Sequence, residues 1–325
     1  MSRLAITGVA GLLAIAAAGT ALQTAHAQTY PVRPIRMLVS LAAGGGTDTT
    51  ARLVSQKLTE AWGQQVVIEN RPGAGGTIAT EAVARAAPDG YTLLTTSVAH
   101  AITPSLYKLT FDAVKDFAPI TLLVLSPSVL AVHPSVPVRS VKELIALARA
   151  HPNELLWSSS GNGSPQHLAM EMFTRMAGVK IVHVPYKGTA PSILDLVAGR
   201  ISVTAASAVS TMPHVKAGRL RALAVVSAKR SQAVPHLPTV AEAGVPGYAV
   251  DTWYGTFAPA GTPREIIIKL YEEMARALAL PEIREKMLPA GLEPVGSPPD
   301  QFAAYVKAEV DKWGKLVRDV NVRID

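Results

Sequence analysis

Three short stretches of this sequence carry residue types that could contact a small ligand, and the first of them suits an anion. The first, Ser40-Leu41-Ala42-Ala43-Gly44-Gly45-Gly46-Thr47-Asp48, follows an apolar run and opens an amphipathic one. Its glycines let backbone N–H groups approach a ligand at a helix N-terminus. The same residues also suit a plain turn in which Thr47 or Asp48 caps the helix. The second, Ser158-Ser159-Ser160-Gly161-Asn162-Gly163-Ser164-Pro165-Gln166-His167, packs hydroxyls and backbone donors ahead of a helix more densely than a turn requires. The third, Pro185-Tyr186-Lys187-Gly188-Thr189-Ala190-Pro191, offers Tyr186 and Lys187 either to a ligand or to the shielding of its helix.

A catalytic constellation is harder to find. The serine-rich stretch lacks the Gly-x-Ser-x-Gly elbow, because Ser158 stands where the first glycine belongs. No Walker loop occurs, and Gly73-Ala74-Gly75-Gly76 departs from the dinucleotide fingerprint at Ile78. The 8 histidines never fall at i,i+4 around a helical glutamate. With Cys 0, thiolate zinc, iron–sulfur clusters, disulfides and a cysteine nucleophile are excluded. The surviving enzymatic alternative is a secreted α/β serine hydrolase using Ser158, Ser159 or Ser160 with His167. His167 otherwise reads as an exposed or capping residue, and Trp253-Tyr254 as a stacking pair or as core.

The elements that must hold these stretches alternate in type. Ile35 to Val39 reads as a buried strand, and Ala51, Val54, Leu58 and Trp62 recur at helical spacing. Strands at 66–68, 91–95, 155–158, 181–184 and 201–204 alternate with helices at 78–85, 166–177 and 190–198. Ser140-x-x-Glu143 is a capping box opening a further helix. Alternation across short loops predicts parallel sheets covered on both faces, with each of the three stretches at a strand's C-terminal end, where open α/β sheets bind ligands. The strand-like runs 120–125 and 129–132 flank Ser126-Pro127-Ser128, which reads as a crossing between domains. The proline- and glycine-rich connection between strands 220–226 and 254–258 reads as the return. The resulting division is 28–127 with 250–325 as a discontinuous domain 1, and 128–249 as domain 2. Thr262-Pro263-Arg264-Glu265 predicts a helix with Thr262 as N-cap. Phe302, Tyr305, Val306, Val310, Trp313 and Val317 make the last helix an amphipathic one packed on the body.

Composition narrows the partners. The 325 residues are 49% hydrophobic and 17% charged, enough for two domains with their own cores. The formal charge of +7 is spread along the chain without basic runs interleaved with aromatics, which argues against nucleic acid. At the N-terminus, Arg3, the apolar run Leu4 to Leu22 and Ala25-His26-Ala27 have the form of a secretory signal cleaved after Ala27. Residues 1–27 are therefore expected to be removed and the mature protein exported to the periplasm.

Several motifs then fall into a familiar order: Tyr30-Pro31-x-Arg33-Pro34-Ile35, Gly44-Gly45-Gly46-Thr47-Asp48, Asp89-Gly90-Tyr91-Thr92-Leu93, Ser159-Ser160-Gly161-Asn162-Gly163-Ser164, His183-Val184-Pro185-Tyr186-Lys187-Gly188, and Trp253-Tyr254-Gly255 with Phe257-Ala258-Pro259-Ala260-Gly261-Thr262-Pro263. Over essentially the whole mature chain the sequence resembles the Bug family of TctC-like tripartite tricarboxylate transporter receptors. The resemblance implies an α/β, type II periplasmic-binding-protein fold, two α/β domains with a ligand cleft between them. It implies a monomeric, non-enzymatic receptor without cofactor or metal that captures a small carboxylate, whether a di- or tricarboxylate, an amino acid or an aromatic acid. Its partner would be the membrane permease of a tripartite tricarboxylate transporter, or a sensor kinase. The residues it assigns to the ligand are Ala43, Gly45, Gly46, Thr47 and Asp48 in the first stretch, with Ser97 beside them. The rest are Ser159, Asn162, Gly163, Ser164, Gln166 and His167 in the second, Tyr186 and Thr189 in the third, and Ser207 and Trp253. Where the family usually starts its first loop Pro-Phe, this chain has Ser40-Leu41, which removes an aromatic wall and bears on ligand size. Where the family often carries an acid after a strand, Ala205 to Ser210 is small and uncharged, which disfavours an ammonium partner there.

Overall fold

The computed structural model describes residues 30–320, and the expected signal segment lies outside them. The chain from Arg33 onward forms one unit. Strand β1 (Ile35–Val39) leads into α1 (Gly46–Trp62), β2 (Val66–Asn70), α2 (Thr77–Ala84), β3 (Thr92–Ser97), the short α3 (Ala99–Ile102) and the long β4 (Phe117–Leu125). Then come β5 (Ser128–Val132), α4 (Val141–Ala150), β6 (Leu156–Ser159), α5 (Pro165–Ala177), β7 (Val182–Pro185), α6 (Thr189–Val197), β8 (Val203–Ser207), α7 (Ala208–Lys216) and β9 (Arg221–Val225). The chain returns through β10 (Trp253–Pro259), α8 (Arg264–Ala279), α9 (Pro281–Met287), β11 (Glu293–Pro294) and α10 (Pro299–Val320).

Two sheets result, ordered β11-β4-β10-β3-β1-β2 and β7-β6-β8-β5-β9. The expected parallel pairing holds on one side of each sheet, where β1 runs with β2 and β3, and β6 with β7 and β8. It fails where the chain crosses between them. Returning β10 runs antiparallel to β3 and β4, and entering β5 runs antiparallel to β8 and β9. A crossing strand enters its sheet from the far side and runs against its neighbours, so both sheets are mixed. The crossings are laced together by Ser126 N–H to Thr252 O (2.7 Å), Val226 N–H to Ser128 O (2.9 Å) and Val250 N–H to Val226 O (2.8 Å).

Local signals behave as physics requires, with exceptions that have causes. Ser140 Oγ accepts the Glu143 N–H at 3.2 Å, while Glu143 Oε2 takes the N–H of Arg139 at 2.7 Å, one residue outside the usual box. Thr262 does not cap α8: its hydroxyl donates to Pro259 O at 2.8 Å, and Pro263 is the N-cap. Helices α3, α7 and α9 and strand β11 have no counterpart in the sequence reading. They are short, and α7 contains Pro213, so none offers a full hydrophobic period.

One apolar cluster runs through both sheets, from Leu38, Leu94 and Phe257 to Leu130, Trp157 and Phe173. The stripe of α10 closes it, with Phe302, Val306, Trp313 and Val317 buried. Within that closure sits a charge. Glu309, only 5% exposed, accepts the indole N–H of Trp253 at 3.2 Å and of Trp313 at 3.0 Å, and pairs with Lys312. A buried carboxylate is tolerable only when so satisfied. The same connection that carries β9 to β10 also touches the first sheet, where Glu293 of β11 accepts the Ser231 hydroxyl and the Ala233 N–H.

Replacing Glu309 with Leu strands two buried indole donors, each worth ~1–3 kcal/mol. Urea unfolding is expected to show a loss of ~2–5 kcal/mol for Glu309→Leu and a clearly smaller one for Glu309→Gln, which keeps an acceptor. Equal losses would mean that the carboxamide cannot stand in for the carboxylate.

Candidate functional site

The parallel register places the C-terminal ends of β1, β2 and β3 on one edge, since Val39 lies beside Asn70 and Thr95. The same holds for β6, β7 and β8 in the second sheet. Helices α1, α5, α6 and α7 start from these ends.

Helix α1 has Gly45 as its N-cap with no side-chain cap bond, and its first internal bond is Thr49 N–H to Gly45 O at 2.9 Å. The N–H groups of Gly46, Thr47 and Asp48 are therefore left without an intrahelical acceptor. Neither Thr47 nor Asp48 caps this end. Asp48 instead clamps the loop: Oδ2 accepts Gly44 N–H and Arg52 Nε, each at 2.9 Å, and Oδ1 accepts Asn70 Nδ2 at 2.9 Å. Asn70 Nδ2 also reaches Leu41 O at 3.1 Å. Burial would raise the Asp48 pKa, but the bonds from Arg52, Gly44 and Asn70 outweigh it and hold the carboxyl below its ordinary range. Ala43 and Gly45 are exposed, whereas Thr47 is buried with no partner for its hydroxyl. Gly46 sits hard against Tyr254, whose hydroxyl would lie 2.6 Å from an added Cβ. Ser40 is fully buried and donates to Thr96 at 2.8 Å, and Ser97 Oγ accepts the Ala99 N–H at 3.2 Å.

The second loop is held by rings. Ser158 Oγ pairs with Ser192 Oγ at 2.9 Å, and Ser159 Oγ lies 2.7 Å from His183 Nε2 while accepting Gly161 N–H at 3.1 Å. Ser164 caps α5, taking the His167 N–H at 3.2 Å, and Pro165 at N1 has no N–H, so Gln166 keeps the open first-turn donor. Gln166 is 9% exposed, and its buried Oε1 has no partner. His167 is neither exposed nor a ring reaching outward. It is buried, and its Nδ1 accepts the Gly163 N–H at 2.9 Å. His183 stacks on both neighbours, with ring centroids 4.0 Å from Trp157 and 4.3 Å from His167. Burial, then the nearby His167, pushes the His183 pKa down to about 4. Asn162 is exposed at the loop tip.

The third loop is zipped to the second by Tyr186 N–H to Ser159 O and Gly188 N–H to Ser160 O, both 3.1 Å. The Tyr186 hydroxyl donates to Asp195 at 2.7 Å, and burial together with that bond pushes its pKa up to about 12. Gly188 starts α6 at φ 114 with no side-chain cap, and Thr189 is the first helical residue. Lys187 is exposed. Ser207 starts α7, its hydroxyl 2.9 Å from Ser210 Oγ, while Ala208 N–H goes to Pro127 O at 2.9 Å.

Trp253 is placed in the core, fully buried on Glu309, away from these loops. Its neighbour Tyr254 faces the first loop. Strand alternation sends the two rings to opposite faces, and that period was the signal available for choosing between them.

Chemically, the arrangement offers partial positive charge from helix starts, hydroxyls and amides, with no arginine in the three loops. Each helix start favours an anion by ~0.3–1 kcal/mol, more when partly buried. Nucleophilic chemistry fits poorly. Ser159, on which a histidine does converge, is fully buried, its partner is His183 rather than His167, and among the described residues no carboxylate hydrogen-bonds that imidazole. Among the described residues no group of three or more His, Cys, Asp or Glu could hold a metal ion. A cavity of about 620 Å³ lined by Tyr107, Phe111, Asp112 and Asp116 includes no residue of the three loops.

Comparison with known proteins points the same way. The tripartite tricarboxylate transporter family receptor profile matches residues 50–322. Protein BugT of Bordetella pertussis is 36% identical over 313 residues, which span 95% of this chain and 96% of that protein. Among solved structures, Rpa4515 of R. palustris with adipate is 39% identical with a TM-score of 0.78, covering 90% of this chain and 99% of that one. MatC of Rhodopseudomonas palustris with bound malate is 34% identical with a TM-score of 0.74, covering 89% and 100%. The fold is thus the two-domain α/β architecture of these periplasmic solute-binding proteins.

The Gly46 contact is open to test without any ligand. Gly46→Ala must displace Tyr254 and is expected to cost ~1–3 kcal/mol by overpacking. Gly45→Ala, whose Cβ would meet only Ala42 O at 3.6 Å, is expected to stay within ~1 kcal/mol of the parent. Urea unfolding of the pair reads the difference, and matching stabilities would contradict the close approach.

Proposed function

The chain belongs to the tripartite tricarboxylate transporter receptor family, and from that premise we propose that it captures a small carboxylate in the periplasm and presents it to the permease of such a transporter. It is a receptor, as its family is, and the hydrolase alternative falls with that membership. The observation that carries the ligand class is the start of α1. Three first-turn N–H groups have neither an intrahelical acceptor nor a side-chain cap, and the bare Cα of Gly46 is seated on Tyr254. Gln166 at the start of α5 supplies a comparable open donor from the other sheet. The ligands of related structures, adipate and malate, support the same chemistry.

In this proposal Ala43, Gly45, Gly46, Thr47 and Asp48, with Ser97, form one side of the site. Ser159, Asn162, Gly163, Ser164, Gln166, His167, Tyr186, Thr189 and Ser207 form the other. Asp48, Ser159, His167 and Tyr186 act through the loops they hold, and Tyr254 takes the place first given to Trp253. Domain 1 comprises 28–127 and 250–325, and domain 2 comprises 128–249. Ligand favours closure of one on the other by contacting both. Fully buried Ser40 and half-buried Leu41 add no aromatic ring of the loop's own beside that of Tyr254, which favours a longer or bulkier carboxylate than a Pro-Phe loop admits. The protein works as a monomer, and the same closed form serves a sensor kinase where one is the partner.

In a thermal-shift panel of adipate, malate, other di- and tricarboxylates, amino acids and aromatic acids, at least one anion is expected to stabilise strongly. A ligand at ~100 times its Kd adds ~2.7 kcal/mol, several degrees in a protein of this size. The matched diamides and diesters are expected to do nothing, and equal stabilisation by them would remove the anion site. For export, the periplasmic protein is expected to begin at Gln28 by intact-mass analysis. A mass that retains residues 1–27 would refute cleavage after Ala27.

A further inference from the structure

Gly163 and His167 are bonded in a direction that limits their chemistry. The Gly163 N–H donates to Nδ1 of His167 at 2.9 Å, so that nitrogen must carry a lone pair and no proton. The same residue's N–H is the one that Ser164 caps at 3.2 Å. Gly163 has φ 72, a left-handed conformation that closes the turn just before α5. The imidazole therefore fixes the turn that sets where the open donor of Gln166 begins.

We propose that His167 is a positioning residue of the carboxylate site, its unprotonated Nδ1 holding the 161–164 turn, so that a proton placed there releases the turn and weakens ligand binding. This rests on the function proposed above. The surroundings make the two states distinct. Nε2 of His167 faces Glu171 of its own helix at 3.6 Å, which accommodates a proton on that nitrogen in the neutral ring. From β7, His183 stacks on it at 4.3 Å between centroids with an 11° interplanar angle. From β6, Trp157 adds a ring without charge at 5.6 Å. Strand β8, also packed on α5, carries no titratable side chain, and α10 meets α5 at Arg175 and Asp319, at the helix's other end. Once His167 is protonated, both ring nitrogens are donors. Nδ1–H then faces an N–H, and the stacked rings of His183 and Trp157 present their faces to the imidazole rather than an acceptor in its plane. Burial, and after it the nearby His167, holds the His183 pKa down, so a second positive ring at stacking distance is disfavoured.

The substitution that separates positioning by an acceptor from mere packing is His167→Asn, because Asn Oδ1 occupies the place of Nδ1 and accepts the same N–H without titrating. The first measurement needs no ligand. In ¹⁵N-labelled protein, the Gly163 amide is expected to shift together with the His167 ring nitrogens as pH falls from 8 to 4.5, and to stay put in His167→Asn. A flat Gly163 amide while the ring titrates overturns the proposal. So does a ring that stays neutral until the protein unfolds.

The second measurement is calorimetric titration with adipate at pH 7.5 and pH 5. The parent is expected to lose about tenfold more affinity on acidification than His167→Asn, the worth of one hydrogen bond. Protonation of adipate itself cancels in that comparison. An equal loss in both proteins, or tighter binding by the acidified parent, refutes the coupling. Failure of every carboxylate to bind at pH 7.5 defeats the receptor function instead, and the ligand-free titration still judges the turn. Should His167→Asn not fold, the parent's amide and ring titrations decide alone.

Discussion

The direction of six strands governs what this molecule can do. Because β1 runs with β2 and β3, and β6 with β7 and β8, the helices that follow β1, β6, β7 and β8 start on the carboxyl edges of their sheets. A helix start is a fixed partial positive charge that needs no side chain, and several on the carboxyl edges of two sheets are what the proposed anion site uses in place of arginine. Reversing one of these strands would turn its helix end for end and present carbonyls instead. The antiparallel β5 and β10 lie at the crossings and the short antiparallel β11 at the sheet's edge, and none of the three precedes one of these helix starts.

What holds the loops open to a ligand is equally specific. Asp48 spends its carboxylate on Gly44, Arg52 and Asn70 rather than on the first turn of α1, and His167 spends its lone pair on Gly163. In both cases a side chain inside the first turn reaches back to the residue before the helix. The loop is thereby rigid while the helix donors remain free. Rigidity of this kind lowers the ordering cost that binding would otherwise bear.

Much of this was legible in the sequence because the signals are local. The three loops, the capping serine of α4 and the stripe of α10 announce themselves by residue type and spacing. The mixed strand directions do not, since an apolar run of five residues reads the same in either direction. Asp48 could not be recognised as a clamp because its partner Asn70 is 22 residues away, and Glu309 was invisible as a buried acid because it lies on an otherwise ordinary helix face. Trp253 and Tyr254 were separable by alternation alone. His167 illustrates the limit: its position at a helix start was readable, but the burial that turns its ring inward comes from Trp157 and His183, on strands the sequence places apart.

The position of β10 has a consequence for how the chain is made. It pairs with both β3 and β4 in the middle of the first sheet, yet it is the tenth strand to be synthesised. Until residues 253–259 emerge, β3 and β4 have bare edges and the first sheet is two fragments. The strands of the second sheet lie together between residues 128 and 225 and can pair as soon as they appear. The loop-closure entropy of joining β3 to β10 is met only near the end of synthesis, so early contacts are local and the long-range ones arrive late. For the export proposed above, this means that the larger sheet, unlike the smaller one, stays open until residues 253–259 exist.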